Sequence, residues 1–177
     1  MVKALFAWIL SLFRWRIVGT VPCLKKFIII VAPHTSNMDF FLGIAVREAL
    51  GIKVNYLGKE ALFRKPWGWI FRKLGGFPVK RGRSYNQVEE TAKLIRKQDT
   101  FVLGLAPEGT RSRTRRWKTG FYWIARLSGV PVIMVCFDYR LRQVSISKPV
   151  DVTGNIEDDF RHFRSFYRKV SRVYPAL

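Results

Sequence analysis

The stretch Phe27-Ile-Ile-Ile-Val31, followed at once by Ala32-Pro-His-Thr-Ser-Asn-Met-Asp39, decides the fold. Five β-branched or aromatic residues in a row, without polar alternation, read as a strand buried on both faces. Strands of that kind belong to parallel sheets covered by helices on each side. The eight residues that follow form the turn out of the strand, where α/β folds expose functional side chains. Phe40 to Leu50 then reads as a helix, with Phe41, Ile44, Ala45 and Glu48 on one side.

The alternation of strand and helix continues toward the C-terminus. Val54–Leu57 reads as a strand, and Ala61–Leu74 as a helix interrupted at Pro66 and closed by Gly75 and Gly76. Phe77–Val79 is a short extended piece. Ser84–Lys97 carries a helix signature, with Ser84 and Gln87 at capping-box spacing and Val88, Thr91, Ala92 and Ile95 on its inner face. Phe101–Leu105 is a strand, residues 106–119 a basic loop, Phe121–Leu127 a helix and Val132–Phe137 a buried strand. Val144–Ser147 suits an antiparallel edge strand, and Glu157–Val173 a basic, aromatic helix. The pattern predicts an α/β fold, a mostly parallel sheet sandwiched by helices. A chain of 177 residues fits one such domain, assigned to residues 21–177.

Residues 1–20 read as an appended amphipathic, membrane-docking helix. The apolar run Ala4–Phe13 would span about 15 Å as a helix, half of a hydrocarbon core, so it is too short to cross a bilayer. Trp8, Phe13, Arg14 and Trp15 suit the headgroup boundary. A signal peptide is disfavoured because Arg14-Trp15-Arg16 follows the run in place of small residues. A buried core helix is the competing reading.

Composition adds two anomalies. Lys and Arg number 32 against 12 Asp and Glu, a net charge of +20, which calls for an anionic partner: nucleic acid, anionic lipid or a phosphorylated substrate. Aromatic residues make up 15%, with six Trp, which suits single-stranded nucleic acid or a membrane interface. No recognisable nucleic-acid motif accompanies the charge. Cys23 and Cys136 have no metal-ligand spacing and there are two His, so neither a zinc site nor another metal is expected.

Two loops carry chemistry. In Ala32–Asp39, His34 is suited to proton transfer near neutral pH, and Asp39 can hold its second ring nitrogen. No protein nucleophile is then needed, because the base can activate a substrate hydroxyl. The alternative is that Ser36 and Asp39 form a capping box and His34 is an ordinary loop residue. In Ala106–Ser112, Gly109 permits a tight backbone approach, Thr110 offers a hydroxyl and Arg111 a bidentate fork for phosphate. Glu108, the lone acid of that loop, can orient Arg111 or bind a substrate hydroxyl. Lys80 and Arg81 end a short strand and can hold another phosphate oxygen.

Taken in order, His-x-Ser-x-x-Asp at 34–39, an Arg ending a Gly-led segment at 81, Pro-Glu-Gly-Thr-Arg at 107–111 and Val-Pro-Val at 130–132 resemble the glycerolipid acyltransferase family, typified by 1-acylglycerol-3-phosphate acyltransferases. The resemblance covers roughly residues 27–140. It implies that His34 is the general base and Asp39 its orienting carboxylate. It implies that Arg81 grips the acceptor phosphate, that Glu108, Gly109, Thr110 and Arg111 form a second acceptor-binding motif, and that Val130, Pro131 and Val132 lie on the acyl-donor side. Acyl-CoA or acyl-carrier protein would be co-substrate, with no cofactor. The acceptor would be a lysophospholipid or another lyso-lipid such as an amino-acid lipid. The expected setting is an anionic membrane surface, peripheral or monotopic on its cytoplasmic face, with no nucleic acid as partner.

Several positions depart from the family pattern. Pro33 precedes the His where Asn is frequent, Lys80 replaces a common acid, Pro78 stands for a large apolar residue, and Met134 for a second Pro. None removes a group assigned to catalysis, but Lys80 makes its site suitable for a phosphate or a carboxylate. A basic nucleic-acid- or membrane-binding module without catalysis is the rival class; it would be indifferent to His34.

Overall fold

The computed structural model describes residues 2–34, 36–64, 66–79, 84–109 and 117–170. Its strands are β1 (Arg16–Val18), β2 (Lys26–Val31), β3 (Asn55–Lys59), β4 (Gly76–Val79), β5 (Phe101–Leu105), β6 (Val132–Asp138) and β7 (Gln143–Ile146). Its helices are α1 (Val2–Leu12), α2 (Met38–Leu50), α3 (Gly68–Lys73), α4 (Ser84–Lys97), α5 (Gly120–Ser128) and α6 (Ile156–Val170). The strands form one seven-stranded sheet in the order β1-β7-β6-β2-β5-β3-β4.

The run at 27–31 occupies the centre of that sheet. Strand β2 pairs in parallel with β5, where Ile30 faces Leu105, and with β6, where Val31 faces Val135. Its alternate side chains serve two cores. Ile28 and Ile30, with Leu103 and Met134, join a cluster that includes Ile95 of α4, Tyr122 and Ile124 of α5, and Phe163 and Tyr167 of α6. Phe27 and Ile29, with Val102, Ile133 and Val135, meet Leu10 of α1 and Val46 and Ala49 of α2. Burial on both faces is why these strands show continuous apolar runs rather than alternation. The architecture is the expected three-layer α/β sandwich.

Three local differences have physical causes. Strand β1 has only three residues, too few to show a period, and it pairs in parallel with β7. Strand β7 is antiparallel to β6 as expected, but β1 takes the outer edge. The helix 61–74 is interrupted around Pro66 as expected and restarts as α3 at Gly68, but its first part is a 3-10 turn at Glu60–Phe63. A Cβ at Gly68 would lie 2.0 Å from the Phe63 carbonyl oxygen, so the chain folds back on itself there as only Gly allows. On α2, Asp39, Val46 and Ala49 are buried while Phe41 points outward, which rotates the inner face from the one read in the sequence.

Helix α1 divides its apolar surface. Leu10 is buried and Phe6 packs beside it in the cluster shared with α2, whereas Val2, Leu5, Trp8 and Leu12 are exposed, Trp8 at 60%. The helix is thus attached to the domain by one stripe and leaves a second apolar stripe outward. No described helix is long and apolar enough to cross a membrane.

Candidate active site

Parallel neighbouring strands end on the same edge of a sheet, so loops distant in sequence meet there. Strands β2, β5 and β6 are parallel neighbours, and the loops that follow them carry His34, Glu108 and Tyr139. His34 and Tyr139 converge on Asp39, and Glu108 meets the backbone of His34.

His34 Nδ1 lies 3.2 Å from Asp39 Oδ2. The Asp39 side chain is 1% exposed and that of His34 24%, so the carboxylate is enclosed while the imidazole keeps an open side. The backbone N–H of Ser36 donates to the same Oδ2 at 2.9 Å, and the Tyr139 hydroxyl donates to Oδ1 at 2.6 Å. Burial by itself pushes the Asp39 carboxyl up, but the hydrogen bonds from His34, Tyr139 and Ser36, with the nearby imidazole charge, outweigh it and hold the group below the ordinary aspartate value. An ionised carboxylate only accepts, so in the neutral imidazole Nδ1 carries the proton and Nε2 keeps its lone pair. That is the tautomer a general base needs.

The capping alternative proves compatible with this geometry. Ser36 N–H to Asp39 is one half of a capping box, and Ser36 Oγ accepts the Met38 N–H at 3.1 Å at the start of α2. One carboxylate therefore starts the helix and orients the imidazole.

Glu108 is buried, and its Oε2 accepts the backbone N–H of His34 at 2.9 Å. It ties the loop after β5 to the loop after β2. Gly109 has φ +63, and its N–H reaches the Ala106 carbonyl at 3.1 Å; a Cβ there would lie 2.6 Å from the Lys118 side chain. Thr110, Arg111, Lys80 and Arg81 lie outside the described residues; β4, which precedes Lys80, ends at Val79 on the same sheet edge as β2 and β5.

Tyr139 was not singled out from sequence. Its signal was its place immediately after the buried run Val132–Asp138, at the end of a central strand. Asp138, itself buried, accepts the backbone N–H groups of Arg140 and Leu141 at 2.9 Å each and so shapes the turn that presents Tyr139. The Trp15 ring meets Tyr139 edge-on at 5.2 Å between centroids. Burial first, then the hydrogen bond and charge of Asp39, push the Tyr139 hydroxyl far up, so it stays a protonated donor. Val130, Pro131 and Val132 lie at the opposite end of β6, about 20 Å along the strand from Asp138. There the Pro131 carbonyl accepts the Ile28 N–H at 2.9 Å, and Val132 pairs with Ile28 and bridges to Val150.

The family model described as Acyltransferase matches residues 16–138, which contain His34, Asp39 and Glu108. The 1-acyl-sn-glycerol-3-phosphate acyltransferase of Escherichia coli (strain K12) is 24% identical over 161 residues, 80% of this chain and 64% of that protein. The enzyme of the same name from Salmonella typhimurium is 26% identical over 158 residues, 79% of this chain and 63% of its own length. The mouse 1-acyl-sn-glycerol-3-phosphate acyltransferase epsilon is 34% identical over 100 residues, 52% of this chain and 27% of its own. The chain thus spans a little under two thirds of the length of these bacterial relatives. With the family model covering most of the chain and the dyad within the match, this protein belongs to the Acyltransferase family.

Proposed function

We propose that this chain moves an acyl group from an acyl thioester to the free hydroxyl of a lysophospholipid, with 1-acylglycerol-3-phosphate as the favoured acceptor. The observation that carries the reading is the enclosed, triply hydrogen-bonded Asp39 holding His34 Nδ1 at 3.2 Å within the family match. His34 Nε2 takes the acceptor's hydroxyl proton as the oxygen attacks the thioester carbonyl. The tetrahedral intermediate expels the thiolate, and the imidazolium returns the proton to sulfur, giving an ester and a free thiol. Asp39 stabilises the imidazolium throughout, and Ser36 N–H and Tyr139 hold Asp39 in place. Glu108 fixes the backbone on which His34 sits. Lys80, Arg81, Gly109, Thr110 and Arg111 are assigned to the acceptor headgroup by the motif resemblance. Acyl-CoA and acyl-carrier protein are both anionic and both suit a chain of net charge +20.

The chain works at the cytoplasmic surface of an anionic membrane. The exposed Trp8, Leu12 and Phe13 lie beside a cleft of about 640 Å³ lined by Arg14, Trp15, Arg16, Arg140 and Arg142, an arrangement of apolar anchors beside cations suited to a headgroup layer. Because Leu10 belongs to the core, the outward stripe is better tested by point changes than by deletion: Trp8→Ser with Phe13→Ser should lower co-sedimentation with anionic vesicles. Undiminished co-sedimentation would remove α1 from the membrane reading. The reaction is tested by offering labelled acyl-CoA and acyl-carrier protein against a panel of lyso-lipids. Diacyl product identifies donor and acceptor together, and product from no pairing with lipid-bound, folded protein contradicts the assignment.

A further inference from the structure

A cavity of about 490 Å³ opens between the segment that leads into α5, at Trp117 and Thr119, and one face of α6; its described lining includes neither His34 nor Asp39. Trp117 lines it and is 7% exposed, yet its Nε1–H has no hydrogen-bond partner. Arg164, on the facing helix, has a buried Nε that is also without a partner. Buried donors are almost always satisfied, and an unmet one costs about 1–3 kcal/mol. Two such donors in the wall of one cavity point to an acceptor that the described residues do not provide.

The remaining lining says what kind of acceptor fits. Arg161, Arg164 and Arg168 recur along one face of α6. Arg164 is held over the Phe160 ring, 5.8 Å from its centroid, which fixes the guanidinium. Arg161 pairs with Asp158, which is not in the lining, at 2.7 Å, and Glu157 is the single carboxylate among the described lining residues. Thr119, immediately before α5, also lines the cavity and makes no side-chain cap to its helix. A neutral carbonyl would leave the guanidinium charges uncompensated. A phosphate ester offers several strong acceptor oxygens and negative charge, and matches both the fork of Arg and the single N–H of Trp.

The cavity is tied to the active-site loop. Lys118 N–H donates to the Pro107 carbonyl at 2.7 Å, closing the loop that contains Glu108, and Trp117 and Thr119 flank Lys118. We propose that the cavity between Trp117 and α6 is a second anion site that binds the phosphate ester of a substrate, held by Trp117 Nε1–H, Arg164 and Arg168. Its lining includes neither member of the dyad; naming its phosphate as a substrate's rests on the acyl-transfer reading, whereas the binding itself is read without turnover. The phosphate can come from the nucleotide end of coenzyme A or from a glycerophosphate headgroup.

The test is a ¹H–¹⁵N spectrum of the full chain labelled at tryptophan, with Trp117→Phe used only to assign the Trp117 indole resonance. Coenzyme A, glycerol 3-phosphate and inorganic phosphate are titrated separately, against sodium chloride at matched ionic strength. The indole N–H of Trp117 should move saturably with at least one phosphate compound and not with chloride, and the compound that acts most tightly identifies the source. Arg164→Gln with Arg168→Gln should raise the apparent Kd about tenfold or more, the loss expected for ionic hydrogen-bond partners. Arg168→Gln alone, at an exposed position, provides a variant that keeps Arg164 and its buried Nε. A Trp117 resonance unmoved by all three phosphate compounds, or moved equally in wild type and both Arg variants, overturns the proposal.

Discussion

Replacing Tyr139 by Phe removes one oxygen atom and isolates the contribution of its hydroxyl to the dyad. The ring can keep its edge contact with Trp15 at 5.2 Å, while the 2.6 Å bond to Asp39 Oδ1 is lost. A hydrogen bond to an ionised acceptor contributes about 1.5–3 kcal/mol. Tyr139 is 47% exposed, so solvent screening and replacement by water place its contribution at or below the low end, about 1–1.5 kcal/mol. If the hydroxyl serves to hold Asp39 against His34, that loss appears in the chemical step as a roughly 5–12-fold fall in kcat. The KM values for acceptor and thioester should stay within about twofold, because neither substrate is assigned to Tyr139. The assay is initial-rate transfer at several concentrations of each substrate, with ¹⁵N shifts of His34 read in parallel: wild type should show Nδ1 protonated, and the variant a mixture of tautomers. An unchanged kcat with a single unchanged tautomer would refute the positioning role.

Glu108 predicts a contrast between two substitutions. Glu108→Ala removes an acceptor of the His34 backbone N–H and should lower kcat about tenfold or more, while Glu108→Gln keeps an oxygen there and should recover most of it; equal rates in the two would assign Glu108 elsewhere. The Tyr167 hydroxyl donates to the Ile30 carbonyl at 2.7 Å, linking α6 to the strand before His34, so Tyr167→Phe should cost about 1 kcal/mol and lower Tm by about 2–4 °C; an unchanged Tm removes that link from the stability account. Asp39 has a folded pKa below its unfolded value, so its contribution is fully present above about pH 4 and is lost as pH falls through the lower folded value. The Tm difference between wild type and Asp39→Asn should therefore shrink below about pH 4, and a difference that persists to pH 2 contradicts the sign.

Much of the fold was legible because its signals are local. The apolar runs at 27–31, 101–105 and 132–137 identify the three strands that lie side by side, and the face Thr91, Ala92 and Ile95 of α4 is buried as its spacing requires. What escaped depends on contacts distant in sequence. Strand β1 is a strand because β7 pairs with it, 127 residues away at Arg16 and Gln143. Phe41 looks like an inner residue on a helical wheel, but the demand that Asp39 be enclosed beside His34 sets the rotation of α2.

The site shows the same division. His34 and Asp39 are close in sequence, so their pairing was readable from spacing and helix-start chemistry. Tyr139 is 100 residues from Asp39, and Glu108 is 74 from His34, so no spacing rule connects them. Only the adjacency of β2 with β5 and β6 brings their loops together. The bond of the second motif's acid, Glu108, to the His34 backbone is a contact that composition and motif order cannot express.

The central claim is that His34 is the base for acyl transfer, and the most direct test is turnover of wild type and His34→Ala under single-turnover conditions, with labelled acyl thioester and 1-acylglycerol-3-phosphate in detergent. Loss of a general base costs about 10²–10⁴ in rate, so the account predicts diacyl product from wild type and a fall of at least that order in the variant, with Tm and lipid binding retained. Product formation in folded His34→Ala at a rate near that of wild type would contradict it.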